Sequence, residues 1–177
     1  MSNIGKIPIL IPNDVNIMIV DNYITIQGNM GISVNSFPNG ITIAQKNNLL
    51  YIKTINREYD AVWGTFRSLI KNMIIGVTKG YIIKLKIIGI GYKASIIKNT
   101  LRLKIGYTNP MRIRIPLDVK IKCVRNTIIY LYSSNLQKIK EFATLVRSYK
   151  KPDPYKGKGI RFFNEVVVLK EGKKKTK

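Results

Sequence analysis

The fold is decided by a pattern that occurs twice, as NLLYIKTINREYDAVWGTFRS over residues 48–68 and as NTIIYLYSSNLQKIKEFATLVRS over residues 126–148. In each copy an asparagine precedes an apolar, strand-like run, and a second asparagine, Asn56 or Asn135, precedes an amphipathic segment. Further upstream, Asn22 and Asn99 occupy matching places at nearly the same offset. An ordered series of matches at one offset indicates an internal repeat, so we expect two similar domains.

The segments before each amphipathic stretch read as antiparallel strands. Leu101, Leu103 and Ile105 alternate with Arg102 and Lys104, which is typical of a strand with one buried face. Turn-forming pairs separate such runs, at Asp21-Asn22, Asn47-Asn48, Lys98-Asn99 and Arg125-Asn126.

A predicted helix closes each copy, and each helix has one apolar stripe that we expect to lie in the core. In the first helix Asn56 is the expected N-cap, and the stripe consists of Val62, Phe66, Leu69, Ile70 and Met73. In the second helix Ser134 or Asn135 is the expected cap, and the stripe consists of Leu136, Ile139, Ala143 and Val146.

The predicted fold class is therefore α+β. We expect two tandem similar domains, each an antiparallel sheet covered on one face by its terminal helix, and a basic C-terminal extension. A boundary near Gly80 gives an N-terminal domain over residues 1–80, a C-terminal repeat over 81–150 and the extension over 151–177.

The charge of the chain indicates a polyanionic partner. The 31 Lys and Arg against 9 Asp and Glu give a formal net charge of +22. Residues 1–80 hold seven basic and four acidic side chains, a net +3, which leaves +19 for residues 81–177. Nucleic acid is the expected partner of so basic a second half, and an anionic membrane surface stays as an alternative.

Composition argues against an enzyme or a metalloprotein. The chain has no histidine and a single cysteine, Cys123, expected to be a buried strand residue. Without histidine the commonest metal ligand and the usual general base are missing, and the nine carboxylates are scattered. We expect no cofactor, no metal and no catalytic residues. Membrane association is also disfavoured, because polar residues interrupt the uncharged stretch 22–45 and Met1 to Leu10 does not read as a secretory signal.

The segment Gly89-Ile90-Gly91-Tyr92-Lys93-Ala94 matches the dinucleotide fingerprint G-x-G-x-x-A, but its context is wrong. That fingerprint must open a helix and precede an acid by about 20 residues, whereas Ser95 to Ile105 reads as strand. A tight hairpin or bulge is the better interpretation, with Lys93 free to contact RNA.

Residues 150–161, KKPDPYKGKGIR, combine proline, glycine and basic side chains in a predicted extended loop. Proline lowers the entropy lost on binding, glycine lets backbone N–H groups approach a phosphate, and lysine and arginine supply charge. Tyr155 is suited to stack on an unpaired base. The alternative is a solvated basic loop without a fixed partner. Beyond it, Phe162, Phe163 and Val166 to Val168 predict a final strand, and Lys170 to Lys177 form a basic tail.

This loop, followed by Asn164-Glu165-Val166 and Lys170-Glu171-Gly172-Lys173-Lys174-Lys175, resembles the signature of the universal family of large-subunit ribosomal protein six. Lys6-Ile7-Pro8-Ile9, Gly76-Val77-Thr78-Lys79-Gly80-Tyr81 and Gly89 to Ala94 lie in the order that the family has. The last strand departs from it, since Val168 and Leu169 stand where arginine is frequent.

The resemblance implies a non-enzymatic constituent of the large ribosomal subunit. Its expected partners are large-subunit rRNA near the sarcin–ricin region, neighbouring ribosomal proteins and translational GTPases that dock nearby, with no membrane. The rRNA-binding residues it implies are Lys93, Arg147, Lys150, Lys151, Tyr155, Lys156, Gly157, Lys158, Gly159, Arg161, Lys170, Lys173, Lys174 and Lys175.

A free-standing RNA-binding module or RNA chaperone is the alternative function. The 31 Ile, 23 Lys and 16 Asn suggest an AT-rich genome. We therefore expect an organellar ribosome, with the mitochondrion favoured over plastid or bacterial cytoplasm.

Overall fold

The computed structural model describes residues 3–172, and these fall into two compact units. One runs to Gly80 and includes Ser134–Leu136, and the other comprises Tyr81–Ser133 and the residues from Gln137 onward. Within the described residues each unit has six strands followed by one α-helix, and the second unit adds one strand after its helix. The predicted α+β class with tandem similar domains is confirmed.

The first unit is built from two antiparallel three-stranded sheets. Their orders are β2-β3-β4 and β1-β6-β5. The strands are β1 Ile9–Leu10, β2 Asn16–Val20, β3 Tyr23–Gly28, β4 Gly31–Ser36, β5 Ile41–Lys46 and β6 Leu49–Thr54. A 3-10 turn over Arg57–Tyr59 leads into α1, Asp60–Thr78.

Helix α1 starts and packs differently from the expectation. Asn56 is not the N-cap: its carbonyl accepts the N–H of Tyr59 at 3.2 Å in the 3-10 turn, and Tyr59 precedes the α-helix without a side-chain cap. The predicted stripe is also partly wrong, because Val62 and Leu69 are 42% and 38% exposed. This helix has apolar residues on several of its faces, so their periodicity alone could not show which face is buried. The buried side chains are Trp63, Phe66, Ile70, Ile74 and Val77.

The second unit repeats this plan and extends it. Its strands are β7 Tyr81–Ile88, β8 Lys93–Ile97, β9 Thr100–Lys104, β10 Met111–Arg114, β11 Lys120–Val124 and β12 Ile128–Ser133, followed by α2 Leu136–Ser148 and β13 Gly159–Phe162. The sheets have the orders β8-β9-β10 and β11-β12-β7-β13. Helix α2 begins directly after Asn135, as expected, and buries Ile139, Phe142, Ala143 and Val146. The predicted stripe is partly wrong, because Leu136 is only half-buried and the stripe left out Phe142.

Strand β13 replaces the final strand that the apolar run predicted. It pairs Gly159 with Ile88 and Phe162 with Leu85, antiparallel to β7. Ile160 is fully buried there, whereas Val166 and Val168 are 86% and 81% exposed and lie outside any strand. The expectation of an extended loop to Arg161 is therefore wrong at its end, because pairing satisfies the otherwise open edge of β7.

The turns lie at the positions that the turn-forming pairs predicted. Asp21, Asn47, Lys98, Arg125 and Asn126 all have positive φ, between 50° and 55°. The segment Gly89 to Ala94 is followed by strand β8 and not by a helix, so it is no dinucleotide site. Nor is it a tight hairpin, because it joins β7 to a strand of the other sheet.

Candidate nucleic-acid interface

Residues 150–160 form a loop that its own backbone closes. The N–H of Asp153 donates to the carbonyl of Lys158 at 2.9 Å, and the N–H of Gly157 donates to that of Asp153 at 2.8 Å. At the two ends of the loop, the N–H of Ile160 donates to the carbonyl of Lys150 at 2.8 Å. We call residues 150–160 the basic loop; its internal bonds fix the shape in which its side chains are presented.

The two glycines of the basic loop serve its closure. Gly157 has a φ of +67°, and its N–H is already bonded inside the loop. At Gly159 a Cβ would lie 2.6 Å from the carbonyl oxygen of Lys151 and 2.8 Å from the Cα of Pro152. Glycine at 159 is thus required for a close approach of two backbone segments. Phosphate approach at these glycines, which the composition of the loop predicts, stays a prediction.

The tip of the basic loop presents an aromatic ring beside positive charge. Tyr155 is 58% exposed, and Lys151 and Lys156 are exposed as well, while Lys158 is half-buried. The side chain of Asp153 accepts the N–H of Tyr155 at 3.0 Å. The N–H of Lys170 donates to the carbonyl of Pro154 at 2.8 Å, which brings the exposed start of the tail to the tip.

Arg147 is engaged by a carboxylate of its own chain. Its Nε donates to Oε2 of Glu165 at 2.9 Å, and its Nη2 donates to Oε1. The pKa of Glu165 is lowered, chiefly by the hydrogen bond from Arg147, and the pKa of Arg147 is raised by the same bond. Oε2 of Glu165 also accepts the N–H of Phe162 at 3.0 Å. Arg147 therefore ties α2 to the chain that follows β13.

Lys150 and Arg161 flank the base of the loop. The Lys150 ammonium lies 4.6 Å from the centroid of the Tyr107 ring, whose hydroxyl donates to the carbonyl of Tyr149 at 3.1 Å. Arg161 stands in β13 opposite Lys86, is half-buried, and has a buried Nε without a hydrogen-bond partner in the described part of the chain. Buried nitrogens without a hydrogen-bond partner are rare in proteins.

Lys93 lies on the other sheet of the second unit, at the start of β8, where it is exposed. Its cross-strand partner is Lys104, and Arg102 and Lys104 line the same open groove. Sequence reasoning missed Arg102 and Lys104, although the alternation of basic and apolar residues over 101–105 was the signal that could have found them. Lys173, Lys174 and Lys175 lie outside the described residues.

Metal binding and membrane spanning were the other two possibilities. Among residues 3–172 no group of His, Cys, Asp and Glu could hold a metal ion. No described helix is long and apolar enough to span a bilayer. Cys123 lies in β11 and is only half-buried, where burial raises the pKa of its thiol.

Comparisons with known proteins point to one family. The family model described as Ribosomal protein L6 matches twice, over residues 11–80 and 88–162. The large ribosomal subunit protein uL6m of Reclinomonas americana is 40% identical over 99% of this chain and 100% of its own. The uL6 protein of Janthinobacterium sp. (strain Marseille) is likewise 40% identical over 99% and 100%. The uL6c protein of Phaeodactylum tricornutum is 38% identical over 98% of each.

Proposed function

The chain belongs to the ribosomal protein L6 family, and we propose that it binds large-subunit rRNA near the sarcin–ricin region, beside the docking site of translational GTPases. As a family member it is a structural constituent of the large ribosomal subunit, with rRNA and other ribosomal proteins as partners. The family is structural and not enzymatic.

The observation that carries the rRNA proposal is the tip of the basic loop. Tyr155 and Lys156 are exposed at the tip, and Lys151 is exposed near the base, of a loop that three internal backbone hydrogen bonds close. A loop of fixed shape needs less ordering when RNA binds. Lysines supply phosphate contacts and the tyrosine ring supplies a stacking surface for an unpaired base. Residues 81–177 as a whole carry a net +19, which is charge of the right sign for RNA.

The proposed binding residues then have different tasks. Lys151, Tyr155, Lys156, Lys158 and Lys170 contact rRNA directly, joined by Lys173, Lys174 and Lys175 of the tail. Arg161, which is half-buried in β13, adds positive charge beside the loop. Gly157, Gly159 and Arg147 act through the shape of the loop, since their contacts lie within the chain. Lys150 flanks the base, and Lys93 contributes from the other sheet.

The proposal has two further parts, the bounds of the domains and the compartment in which the ribosome works. Residues 1–80 and 81–150 are the repeated domains and residues 151–177 the rRNA-binding extension, which contributes β13 to the second sheet. The ribosome is that of an organelle, with the mitochondrion favoured. The Ile, Lys and Asn bias supports this. The similarity to the uL6m protein does not add to it, because the bacterial uL6 protein is equally identical.

Cosedimentation tests the proposal. A tagged copy of the chain, expressed in its own cell or organelle, should travel with intact large subunits at moderate salt and leave them only at high salt. The alternative, a free-standing RNA-binding module or RNA chaperone, predicts a predominantly free pool, and that result would overturn the ribosomal assignment.

A further inference from the structure

The sheet β8-β9-β10 has one apolar face and one strongly basic face. Leu101, Leu103 and Ile113 are at most 5% exposed and face the core. Five of the residues that alternate with them are exposed and positively charged: Lys93, Arg102, Lys104, Arg112 and Arg114. Ser95, Ile97 and Thr100 share this side of the sheet. None of the three strands contains an acidic residue. We call these five exposed side chains the basic face.

Like charges stand directly opposite each other on the basic face. Lys93 pairs with Lys104 between β8 and β9, and Arg102 pairs with Arg112 between β9 and β10. Like charges at directly opposed positions destabilise a sheet. The arrangement therefore works against folding, and an anion that binds the face would relieve it.

The internal repeat shows that the fold does not need these charges. Sheet β2-β3-β4 of the first unit has the same strand order and hairpins, and it aligns with β8-β9-β10 through its register. The positions equivalent to the five basic residues hold Asn16, Thr25, Gln27, Val34 and Ser36, all uncharged. Five charges on one copy and none on the other mark a surface with a function of its own.

The basic face includes a groove whose chemistry indicates what it binds. An open groove of about 340 Å³ is lined by Lys93, Ser95, Arg102, Lys104, Thr108 and Pro110. Ammonium, guanidinium and hydroxyl groups are the side chains that bond phosphate oxygens. No aromatic ring lines the groove, so it lacks the stacking platform that single-stranded RNA uses. The groove is thus suited to a duplex backbone, which presents phosphates and 2′-hydroxyls.

We infer that the basic face is a second RNA-binding surface, independent of the basic loop, that takes the sugar-phosphate backbone of duplex RNA. This inference rests on the proposed function in one respect, namely that RNA is the ligand of this chain. The two surfaces differ in chemistry: the loop offers an exposed ring and suits unpaired nucleotides, whereas the groove of the basic face offers charged and hydroxyl groups.

The test uses the purified full chain and a generic RNA duplex of about 16 base pairs, with oligouridine of equal length for comparison. The face variant combines Lys93→Asn, Arg102→Thr and Lys104→Gln, which installs the residues found at the equivalent places of the first unit. The matched control combines Lys46→Gln, Lys53→Gln and Lys71→Gln, three exposed lysines of the first unit. Both variants carry the same net charge.

Wild type and control should lose duplex affinity steeply between 50 and 200 mM salt. The ratio of duplex affinity at 50 mM salt to that at 200 mM salt should be roughly 40-fold smaller for the face variant, because three phosphate contacts no longer release counterions. Its oligouridine binding should fall much less, and its midpoint of thermal unfolding should not lie below that of the control. Equal duplex binding by face variant and control, or an equal loss on oligouridine, would overturn the inference.

The basic-loop variant Lys151→Ala/Lys156→Ala, measured alongside, separates the two proposals. If only the loop variant is impaired on RNA, the basic face is not a binding surface while the proposed function stands. If wild type binds neither RNA, both proposals fail.

Discussion

Arg147 and Glu165 form a two-pronged ion pair that joins helix α2 to the chain after β13, with Nε and Oε2 2.9 Å apart. The same carboxylate accepts the N–H of Phe162, so one side chain fixes both the end of β13 and its position against the helix. The basic loop lies between these two anchors. The pair therefore sets the conformation of the loop without needing to contact RNA itself.

Replacing Glu165 by Gln should destabilise the second unit by about 1–3 kcal/mol. The side chains of Arg147 and Glu165 are 28% and 22% exposed, so the pair lies between a surface pair and a buried one. Urea unfolding followed by circular dichroism measures the change. Lys138, which pairs with Asp118 at about half exposure, supplies the control: Asp118→Asn should cost under about 1 kcal/mol. Equal losses would show that the Arg147 pair is not structural.

The ion pair of Glu165 with Arg147 should also make the free energy of unfolding depend on pH. Its folded-state pKa is lowered, so its contribution is complete above the ordinary carboxyl range and is lost as the pH falls through the lowered value. Unfolding free energies of wild type and Glu165→Gln should therefore converge as the pH is lowered from about 7 to about 3. A difference that stays constant over this range would contradict the assignment.

The two glycines of the basic loop should respond differently to alanine. Gly159→Ala should cost more than about 2 kcal/mol, because its Cβ would meet backbone atoms at 2.6 and 2.8 Å and its φ is +147°. Gly157→Ala should cost about 1 kcal/mol, since its φ of +67° is tolerated and its nearest neighbour is a Leu169 methyl at 3.4 Å. Denaturant unfolding of the two variants ranks them, and the reverse order would refute the close approach.

Removing charge from the basic loop should weaken RNA binding without unfolding the protein. In Lys151→Ala/Lys156→Ala two exposed lysines are lost, and exposed charges contribute little to stability. The loss of rRNA affinity between 50 and 200 mM salt should shrink by roughly 10-fold, as expected for two fewer phosphate contacts. The matched control is Lys46→Ala/Lys53→Ala in the first unit, which should behave as wild type in a filter-binding assay. An unfolded loop variant, or a control equally impaired, would contradict the prediction.

Local patterns predicted most of the fold. The positive-φ turns and the α2 stripe of Ile139, Ala143 and Val146 follow from turn chemistry and helical periodicity, which act over a few residues. Helix α1 was harder because Val62 and Leu69 are apolar and yet exposed. Which of several apolar faces is buried depends on the sheets, and a single helix does not carry that information.

The sequence predicted which residues form the candidate site but not which side chains pair with them. The basic loop was evident from its residues, but the partner of Arg147 is Glu165, which comes 18 residues later and is brought back by β13. No local pattern encodes such a contact. The basic face was visible only as an alternation of charge along β9; its breadth depends on the pairing of Arg102 with Arg112 across strands.

Site-directed photocrosslinking in purified large subunits tests most directly whether the basic loop contacts folded rRNA. A benzophenone amino acid is placed at Tyr155, which is 58% exposed at the tip, or at Ile32, which is 60% exposed on the uncharged sheet of the first unit. The probe at 155 should crosslink to a defined segment of large-subunit rRNA, and the probe at 32 should give far less rRNA adduct. A probe at 155 that reacts only with solvent or with protein would contradict the account.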